Sequence, residues 1–224
     1  MRDLTVIYLT LNKLPEEWMK YQQETLLNSI GDTNVISVSS KPIDLGTNIL
    51  QTEKPSASNV YRQMLRACHL TDTEFIAMAE DDTLYCNEHF LHRPKKDVFA
   101  YNLSHWSIFT WGTPTYSWRN RRVNYSLIAN RESVIEALSE RFEKYPNGTP
   151  EKYTGEIGRN MLERNLGIKE RTAVDFYTFV PIININHELG LDKVAVTHRK
   201  RLGSLRAFDI PNWGKARDVI KRFR

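Results

Sequence analysis

Three adjacent carboxylates, Glu80, Asp81 and Asp82, are the strongest chemical signal in this sequence of 224 residues. They directly follow the apolar run at residues 75–79, so they stand at the carboxyl end of a predicted buried strand. Open α/β sheets bind their ligands at such strand ends. Because neighbouring carboxylates repel one another and hard divalent cations prefer oxygen ligands, the cluster favours a divalent metal site over a solvated acidic turn.

A histidine and a basic cluster further along the chain suit the same kind of site. His187 follows the strand-like residues 181–186, and mixed carboxylate and imidazole ligation suits Mn²⁺ or a similar ion. Residues 197–203 are basic, and Arg and Lys side chains neutralise phosphate groups. A basic cluster so close to a candidate metal ligand is what a diphosphate leaving group requires. The alternatives are a structural histidine and an exposed basic turn.

Charge is divided unevenly along the chain. The whole sequence has 31 Lys and Arg against 27 Asp and Glu, a net charge of +4. Residues 193–224 contain ten Lys and Arg against two Asp, a local charge of +8, which leaves −4 on residues 1–192. Such a basic segment indicates a polyanionic partner, either a phosphate-bearing ligand or a nucleic acid, unless it is only a solvated tail.

Alternating strands and helices are predicted to position these residues in the first part of the chain. The predicted elements are strands at 4–9, 35–39 and 75–79, a helix from Pro15 to Gly31, a loop at 40–56, and a helix capped by Ser58. The strands are compact β-branched and apolar runs, as in buried parallel sheets. This alternation predicts an α/β fold with a mostly parallel sheet.

The second half of the chain is richer in aromatic residues and less regular. Its predicted elements are strands at 97–111 and 123–129, a helix capped by Asn130, a helix near 157–164 and extended chain at 173–185. No internal repeat and no linker divides the chain. We therefore expect one domain at residues 1–203, followed by a basic C-terminal segment at 204–224 that packs on the domain or extends from it.

The sequence lacks the motifs of several enzyme classes, which argues against those classes. The sequence has no GxGxxG after the first strand, no P-loop, no HExxH, no GxSxG and no kinase motifs. The composition, 41% hydrophobic and 26% charged, is that of a globular protein. No apolar run approaches the ~20 residues of a membrane span, and no signal-like leader opens the sequence. With two cysteines outside any metal-site spacing, a reduced, cytoplasmic setting is expected.

Taken together, these features resemble the GT-A-fold glycosyltransferases, including small enzymes of phages and bacteria. The resemblance rests on the first strand and helix, residues 58–62, the acidic residues 80–82, and the pattern of residues 181–187 with its histidine. It spans roughly residues 4–203, with a weaker match in the middle third. It implies a GT-A-like α/β domain, with a mostly parallel central sheet flanked by helices. It also implies sugar transfer from a nucleoside-diphosphate sugar to an acceptor hydroxyl, with a divalent cation, Mn²⁺ or Mg²⁺.

The resemblance also implies roles for residues on the donor side. Asp82 and His187 would contact the metal ion, and Glu80 or Asp81 would reach the sugar or the metal through water. Glu80 departs from the strict Asp-x-Asp pattern of the family, which leaves the ligand within this turn open. The other implied donor-binding residues are Thr10, Leu11 and Asn12, Ser39 and Ser40, Asn59 and Arg62, and Arg199, Lys200 and Arg201 at the departing diphosphate.

A general base is implied only if the reaction inverts the configuration of the sugar. Such an enzyme needs an Asp or Glu to take the proton of the acceptor hydroxyl. Inverting members of the family place this base at the start of a helix, which makes Glu156 the candidate. A retaining enzyme needs no such base, and an acidic residue at a helix start also has a purely stabilising explanation.

The acceptor side would lie in the aromatic and basic middle of the chain. The implied acceptor-binding residues are Trp106, Trp118, Arg119, Arg121 and Arg122. Because aromatic rings stack on sugars and bases and Arg suits phosphates, DNA that bears a hydroxymethylated pyrimidine is one candidate acceptor. This would place a phage-encoded enzyme in the host cytoplasm. A surface saccharide and a small molecule are the other candidates.

Two readings compete with a glycosyltransferase. The first is a non-catalytic nucleic-acid-binding module in which the acidic turn is incidental. The second is a sugar nucleotidyltransferase, although the early Gly-rich, Arg-containing phosphate loop of that class is missing after residue 9.

Overall fold

The computed structural model of the chain describes residues 1–190, 203 and 205–224. The helices in these residues are α1 (Glu16–Ile30), α2 (Ala57–Cys68), α3 (Asn87–Leu91), α4 (Arg131–Lys144), α5 (Asn160–Leu166) and α6 (Ala216–Phe223). The strands are β1 (Leu4–Thr10), β2 (Asn34–Ser39), β3 (Thr47–Leu50), β4 (Phe75–Glu80), β5 (Thr83–Leu84), β6 (Val98–Asn102), β7 (His105–Phe109), β8 (Tyr116–Trp118), β9 (Leu127–Asn130), β10 (Thr172–Phe176), β11 (Ile182–Asn186), β12 (Leu205–Ala207), β13 (Asp209–Ile210) and β14 (Gly214–Lys215). Two short 3-10 turns occupy Asn124–Ser126 and Glu151–Tyr153.

The central sheet has seven strands in the order β10-β6-β9-β4-β1-β2-β3. Strand β9 is antiparallel to both of its neighbours, and the other strands all run in one direction. Alternate side chains of β1 enter different apolar layers. Ile7 and Leu9 share a core with α2 and α4, while Val6 and Tyr8 share a core with α1 and α3. The predicted α/β fold, with a mostly parallel central sheet flanked by helices, is confirmed.

A second, five-stranded sheet has the order β12-β8-β7-β11-β5. Its core side chains pack with α1 and α6 in a third apolar cluster, which contains Trp18, Ile185 and Phe223. Strands β13 and β14 form a separate hairpin just before α6. The basic residues 205–224 thus contact the rest of the protein through a strand pairing of β12 with β8 and through the packing of α6 on α1. No helix among the described residues is long and apolar enough to cross a lipid bilayer.

Two predicted extended stretches are each divided between the two sheets. Residues 97–111 form β6 in the central sheet and β7 in the second sheet, and residues 173–185 divide in the same way into β10 and β11. The first division occurs where the Asn102 side chain accepts a hydrogen bond of 2.8 Å from the Ser104 N–H, a local turn that competes with the strand.

Four other boundaries differ from their predictions, and one agrees. The predicted strand at 123–129 begins only at Leu127, after a 3-10 turn at Asn124–Ser126. The predicted loop at 40–56 contains the edge strand β3. Helix α2 is capped by Ser56 rather than Ser58, because the Ser56 hydroxyl accepts the Asn59 N–H. Helix α5 starts later than predicted, at Asn160. The predicted cap of α4 is confirmed, since the Asn130 side chain accepts the Ser133 N–H at 3.2 Å.

Candidate functional site

The acidic turn lies between the two sheets. Strand β4 of the central sheet ends at Glu80, and β5 of the second sheet begins at Thr83, so Asp81 and Asp82 bridge them. Strand β11 pairs antiparallel with β5, and the Ile185 N–H donates to the Asp82 carbonyl at 2.8 Å. This register brings His187, two residues beyond Ile185, to the turn. The distant pair predicted for metal contact is therefore adjacent in the fold.

Asp82 and His187 face each other across a short gap. The distance from Asp82 Oδ2 to His187 Nε2 is 3.5 Å. The other carboxylate oxygen, Oδ1, accepts hydrogen bonds of 2.9 Å from the Thr83 hydroxyl and from the Asn184 amide. On the far side of the imidazole, Nδ1 accepts the Leu189 N–H at 3.1 Å. Asp82 is thus anchored through Oδ1, which leaves Oδ2 directed at the histidine.

These two groups suit a cation that also binds a ligand. In the part of the chain that the structure describes, no cluster of three or more His, Cys, Asp and Glu side chains could enclose a metal ion. Mg²⁺ and similar ions are commonly held by one or two protein carboxylates, with water and substrate phosphates completing the shell. Ligation through His187 Nε2 requires the neutral ring to carry its proton on Nδ1, so the Leu189 contact must open when a cation binds.

Asp81 is held from the end of β1. The Thr10 hydroxyl donates to Asp81 Oδ2 at 2.6 Å and accepts the Asn12 N–H at 2.9 Å. The Trp18 indole N–H donates to the Asp81 carbonyl at 2.9 Å. Burial, followed by the charge of Asp82, raises the pKa of Asp81 to about 7, while the Thr10 hydrogen bond opposes the shift.

Buried polar residues that the sequence analysis missed support the turn from below. Gln22 of α1 donates to the carbonyls of Glu80 and Thr83, and its own oxygen accepts the Tyr8 hydroxyl at 2.9 Å. The Tyr85 hydroxyl accepts the Glu80 N–H. A signal was available for Gln22, since a glutamine four residues after Trp18 and four before Leu26 lies on the apolar face of the helix.

The residues predicted to bind the base and ribose lie together at the ends of β1 and β2. Asn12 has a positive φ of 53°, and its side chain accepts the N–H groups of Ser40 and Lys41, each at 2.9 Å. The Ser39 hydroxyl donates to the Lys41 carbonyl at 2.6 Å. Thr10 and Leu11 line a cavity, whereas Asn12, Ser39 and Ser40 are not among the described residues that line it. Asn12 therefore joins two loops rather than facing the cavity.

Helix α2 sends its two predicted donor-binding residues in different directions. Asn59 is 4% exposed and lines the cavity; its amide nitrogen donates to Gln51 at 2.9 Å, and its Oδ1 has no hydrogen-bond partner. Arg62 instead stacks over the Phe142 ring at 4.4 Å and donates to the Pro146 carbonyl. Of these two residues, Asn59 alone is among the described residues that line the cavity.

The cavity has a volume of about 230 Å³ and extends from the acidic turn to the start of α2. Both metal-ligand candidates border it, as do apolar residues of the β1 end. The described residues that line it are Leu9, Thr10, Leu11, Lys13, Leu14, Pro55, Ser56, Asn59, Val60, Gln63, Glu80, Asp81, Asp82, Arg121, Tyr125, Asn184, Ile185, Asn186, His187, Leu189 and Gly190. Carboxylates thus line one part of the cavity, and amide and hydroxyl groups of α2 line another.

The residues predicted for the acceptor are divided. Arg121 lines the cavity, and its carbonyl is held by the buried His105 ring, whose Nε2 lies 2.8 Å away. Arg122 forms an ion pair of 2.6 Å with Asp175. The Trp118 indole donates to the Leu103 carbonyl. Trp106 packs against the third apolar cluster, and Arg119 is half-buried; neither is among the described residues that border the cavity.

Two further predictions concern Glu156 and the basic cluster of residues 197–203. Glu156 accepts a hydrogen bond of 3.1 Å from Arg159, and it precedes α5 by four residues rather than starting it. It is not among the described residues that line the cavity. The predicted diphosphate-binding residues Arg199, Lys200 and Arg201 lie outside the described residues.

No protein-family model matches the sequence, and no curated protein matches it. Among solved structures, the chain is similar to TarS of S. aureus in complex with UDP-GlcNAc, with 11% identity over 84% of this chain and a TM-score of 0.47. It is also similar to the mannosyltransferase PcManGT of Pyrobaculum calidifontis in complex with GDP-Man and Mn²⁺ (13%, 83%, 0.45) and to the bifunctional IspDF of Campylobacter jejuni (11%, 80%, 0.43). The chain spans 59%, 57% and 50% of those chains, respectively. Similarities this weak assign no activity to this chain.

Proposed function

We propose that this protein is a glycosyltransferase that moves a sugar from a nucleoside-diphosphate sugar to an acceptor hydroxyl. The observation that carries the proposal is the 3.5 Å approach of Asp82 Oδ2 to His187 Nε2 beside a cavity at the carboxyl ends of parallel strands. A two-residue ligand set of this kind suits a divalent cation that is shared with a diphosphate. The proposal includes a GT-A-like fold for this chain.

Residues around the cavity would divide the work of binding the donor. Asp82 and His187 would hold the cation, which when bound stabilises negative charge on the departing diphosphate. The unpartnered Oδ1 of the buried Asn59 would accept a hydrogen bond from the donor, since a buried acceptor without a partner is costly. Asp81, fixed by Thr10 and Trp18, would face the sugar. Arg199, Lys200 and Arg201 remain proposed partners of the diphosphate.

Glu156 remains the proposed general base for an inverting reaction. Its charge and that of Glu80 both act on the buried hydroxyl of Tyr61, where burial and these charges raise the pKa. Glu156 is therefore close to Tyr61 of α2, although neither residue is among the described residues that line the cavity. Because Arg159 pairs with its carboxylate, acceptor binding would have to release that ion pair before Glu156 could take a proton.

The acceptor proposal depends on Arg121. An exposed guanidinium at the border of the cavity supports an acceptor with an anionic group, and DNA that bears 5-hydroxymethyl-pyrimidine is the acceptor of this kind that we propose. We expect Arg121→Gln to reduce sugar transfer to such DNA in a salt-dependent way, measured with radiolabelled donor. The matched variant Arg122→Gln, whose guanidinium already pairs with Asp175, should leave transfer unchanged. Equal transfer by both variants would contradict a role for Arg121.

The test of the donor site is a thermal-shift screen of nucleotide sugars with and without Mn²⁺. A donor at 100 times its Kd should raise the Tm of a domain of this size by roughly 5–10 °C, and only when Mn²⁺ is present. Asp82→Ala should abolish this shift, while Asp72→Ala, at an exposed position, should keep it. If no nucleotide sugar shifts the Tm, the glycosyltransferase proposal fails. A protein that still binds DNA would then fit the alternative of a nucleic-acid-binding module.

A further inference from the structure

The C-terminal helix α6 has two dissimilar faces, and the proposed function accounts for neither. Its buried residues are Ala216, Val219, Ile220 and Phe223, and all four join the third apolar cluster. Its exposed residues are mostly Arg and Lys. The helix thus packs against the body of the protein through its apolar face.

One side chain of this face contacts the candidate metal site. The Phe223 ring is 5% exposed and lies 5.1 Å, centroid to centroid, from the imidazole of His187. It also lies edge-on to the Trp18 indole at 5.0 Å. The Trp18 N–H in turn donates to the Asp81 carbonyl. A single phenyl ring therefore packs between the histidine and the tryptophan that holds the acidic turn.

Arg224 provides a second attachment near the same histidine. Its guanidinium donates to the Thr110 carbonyl at 3.0 Å. The Thr110 N–H donates to the carbonyl of Asn186, the residue before His187, also at 3.0 Å. The C-terminal end of α6 thus contacts the His187 ring through Phe223. Through Arg224 and Thr110, it is also linked to the backbone at the end of β11, just before His187.

We infer that α6 positions the candidate metal ligand, with Phe223 fixing the imidazole of His187 opposite Asp82. This inference rests on the proposed function, in which both residues hold a cation. Ligation through Nε2 requires the Leu189 N–H contact to open, so that hydrogen bond cannot orient the ring in the metal-bound state. The apolar contact with Phe223 does not depend on the protonation of the ring, and it constrains the ring in both states.

The experiment measures the Kd of the full-length protein for Mn²⁺ by electron paramagnetic resonance. Phe223→Leu keeps an apolar side chain but removes the ring, and it should weaken Mn²⁺ binding by about tenfold. Val219→Ala, one turn earlier on the same buried face, is the matched control. It should lower the Tm without changing the Kd for Mn²⁺. If Phe223→Leu does not fold, Phe223→Met serves the same purpose.

A double-mutant cycle with His187→Ala separates positioning from general destabilisation. If Phe223 acts through the histidine, Phe223→Leu should not weaken Mn²⁺ binding further when His187 is already absent. An unchanged Kd in Phe223→Leu, or the same tenfold loss in the His187→Ala background, would overturn the inference and leave the metal site intact. A wild-type protein that binds no Mn²⁺ would overturn the proposed metal site, and with it this inference.

Discussion

At the scale of single residues, Thr10 serves two neighbours through one hydroxyl group. The hydroxyl donates to Asp81 and accepts the Asn12 N–H, so it joins the end of β1 to the acidic turn. The residue is buried, with 5% of its surface exposed, although it also borders the cavity. The hydroxyl therefore helps to order the turn, and its hydrogen bond to Asp81 also favours the ionised form of that carboxyl group.

We predict that Thr10→Val lowers the free energy of unfolding by about 1–2 kcal/mol at pH 8. Valine keeps the shape and the strand preference of threonine, but it leaves Asp81 without a donor and the Asn12 N–H without an acceptor. Urea denaturation measures the change. Thr47→Val, at an exposed position of the edge strand β3, should cost less than about 0.5 kcal/mol. An equal cost for both variants would contradict the role of the Thr10 hydroxyl.

Sequence reasoning found residues at this scale where the chemistry is visible in the side chain itself. The carboxylates of the acidic turn and the imidazole of His187 are visible ligand types, the resemblance selects Asp82 within the turn, and Asp82 and His187 lie 3.5 Å apart. The contacts of Arg62 and Glu156 could not be predicted in this way. Each is satisfied by a partner, the Phe142 ring and Arg159 respectively, whose proximity depends on tertiary packing.

At the scale of elements, α1 is attached to the acidic turn by one buried glutamine. Gln22 is fully buried and uses both ends of its amide, with two backbone carbonyls of the turn on one side and the Tyr8 hydroxyl on the other. The turn connects β4 to β5, so the same side chain also helps to set the position of one sheet relative to the other.

We predict that Gln22→Met lowers the free energy of unfolding by about 2–4 kcal/mol. Methionine fills the same space, but it removes the hydrogen bonds that the amide makes to the Tyr8 hydroxyl and the Thr83 carbonyl, and each missing hydrogen bond costs about 1 kcal/mol or more. Glu24→Met, an exposed position on α1, is the control and should change stability by less than about 0.5 kcal/mol. Chemical denaturation at pH 7.5 measures both. If Gln22→Met is as stable as the control, the amide does not hold the turn.

Element types were easier to predict than the sheets that elements join. The apolar runs of β1, β2 and β4 identify buried strands, because parallel strands that are covered by helices on both faces have such continuous apolar runs. The division of residues 97–111 into β6 and β7 could not be read from composition. It depends on a turn at Asn102 and on the different partners that each half finds, β9 and β10 for β6, and β11 and β8 for β7.

At the scale of the whole molecule, two buried histidines, His89 and His105, affect the free energy of unfolding. Burial lowers the pKa of His89 to about 3 and, against the hydrogen bond to the Arg121 carbonyl, that of His105 to about 4. Both lie far below the value of about 6.5 expected in an unfolded chain. His89 packs among aromatic rings, and His105 lies behind Arg121 of the cavity. Both are therefore neutral in the native protein.

We predict that these histidines destabilise the protein in mild acid. Below pH 6.5 both histidines bind a proton in the unfolded state but not in the native state. Their contribution to the free energy of unfolding is therefore fully present above pH 6.5. It decreases as the pH falls, until about pH 4 for His105 and about pH 3 for His89. At pH 5 the loss should be about 2 kcal/mol for each histidine. Urea denaturation between pH 7.5 and 5 measures this slope.

The histidine contribution can be separated from that of the carboxylates. Asp3, Glu136 and Glu140 have pKa values lowered by their arginine or lysine partners, so their contributions are lost mainly at more acidic pH. Asp81 acts in the opposite direction, because its raised pKa of about 7 adds stability as the pH falls through this range. Relative to the wild type, His89→Gln should therefore remove about 2 kcal/mol of the loss at pH 5, and adding His105→Gln should remove about 2 kcal/mol more. An equally steep decline in the double variant would mean that groups other than the buried histidines control acid stability.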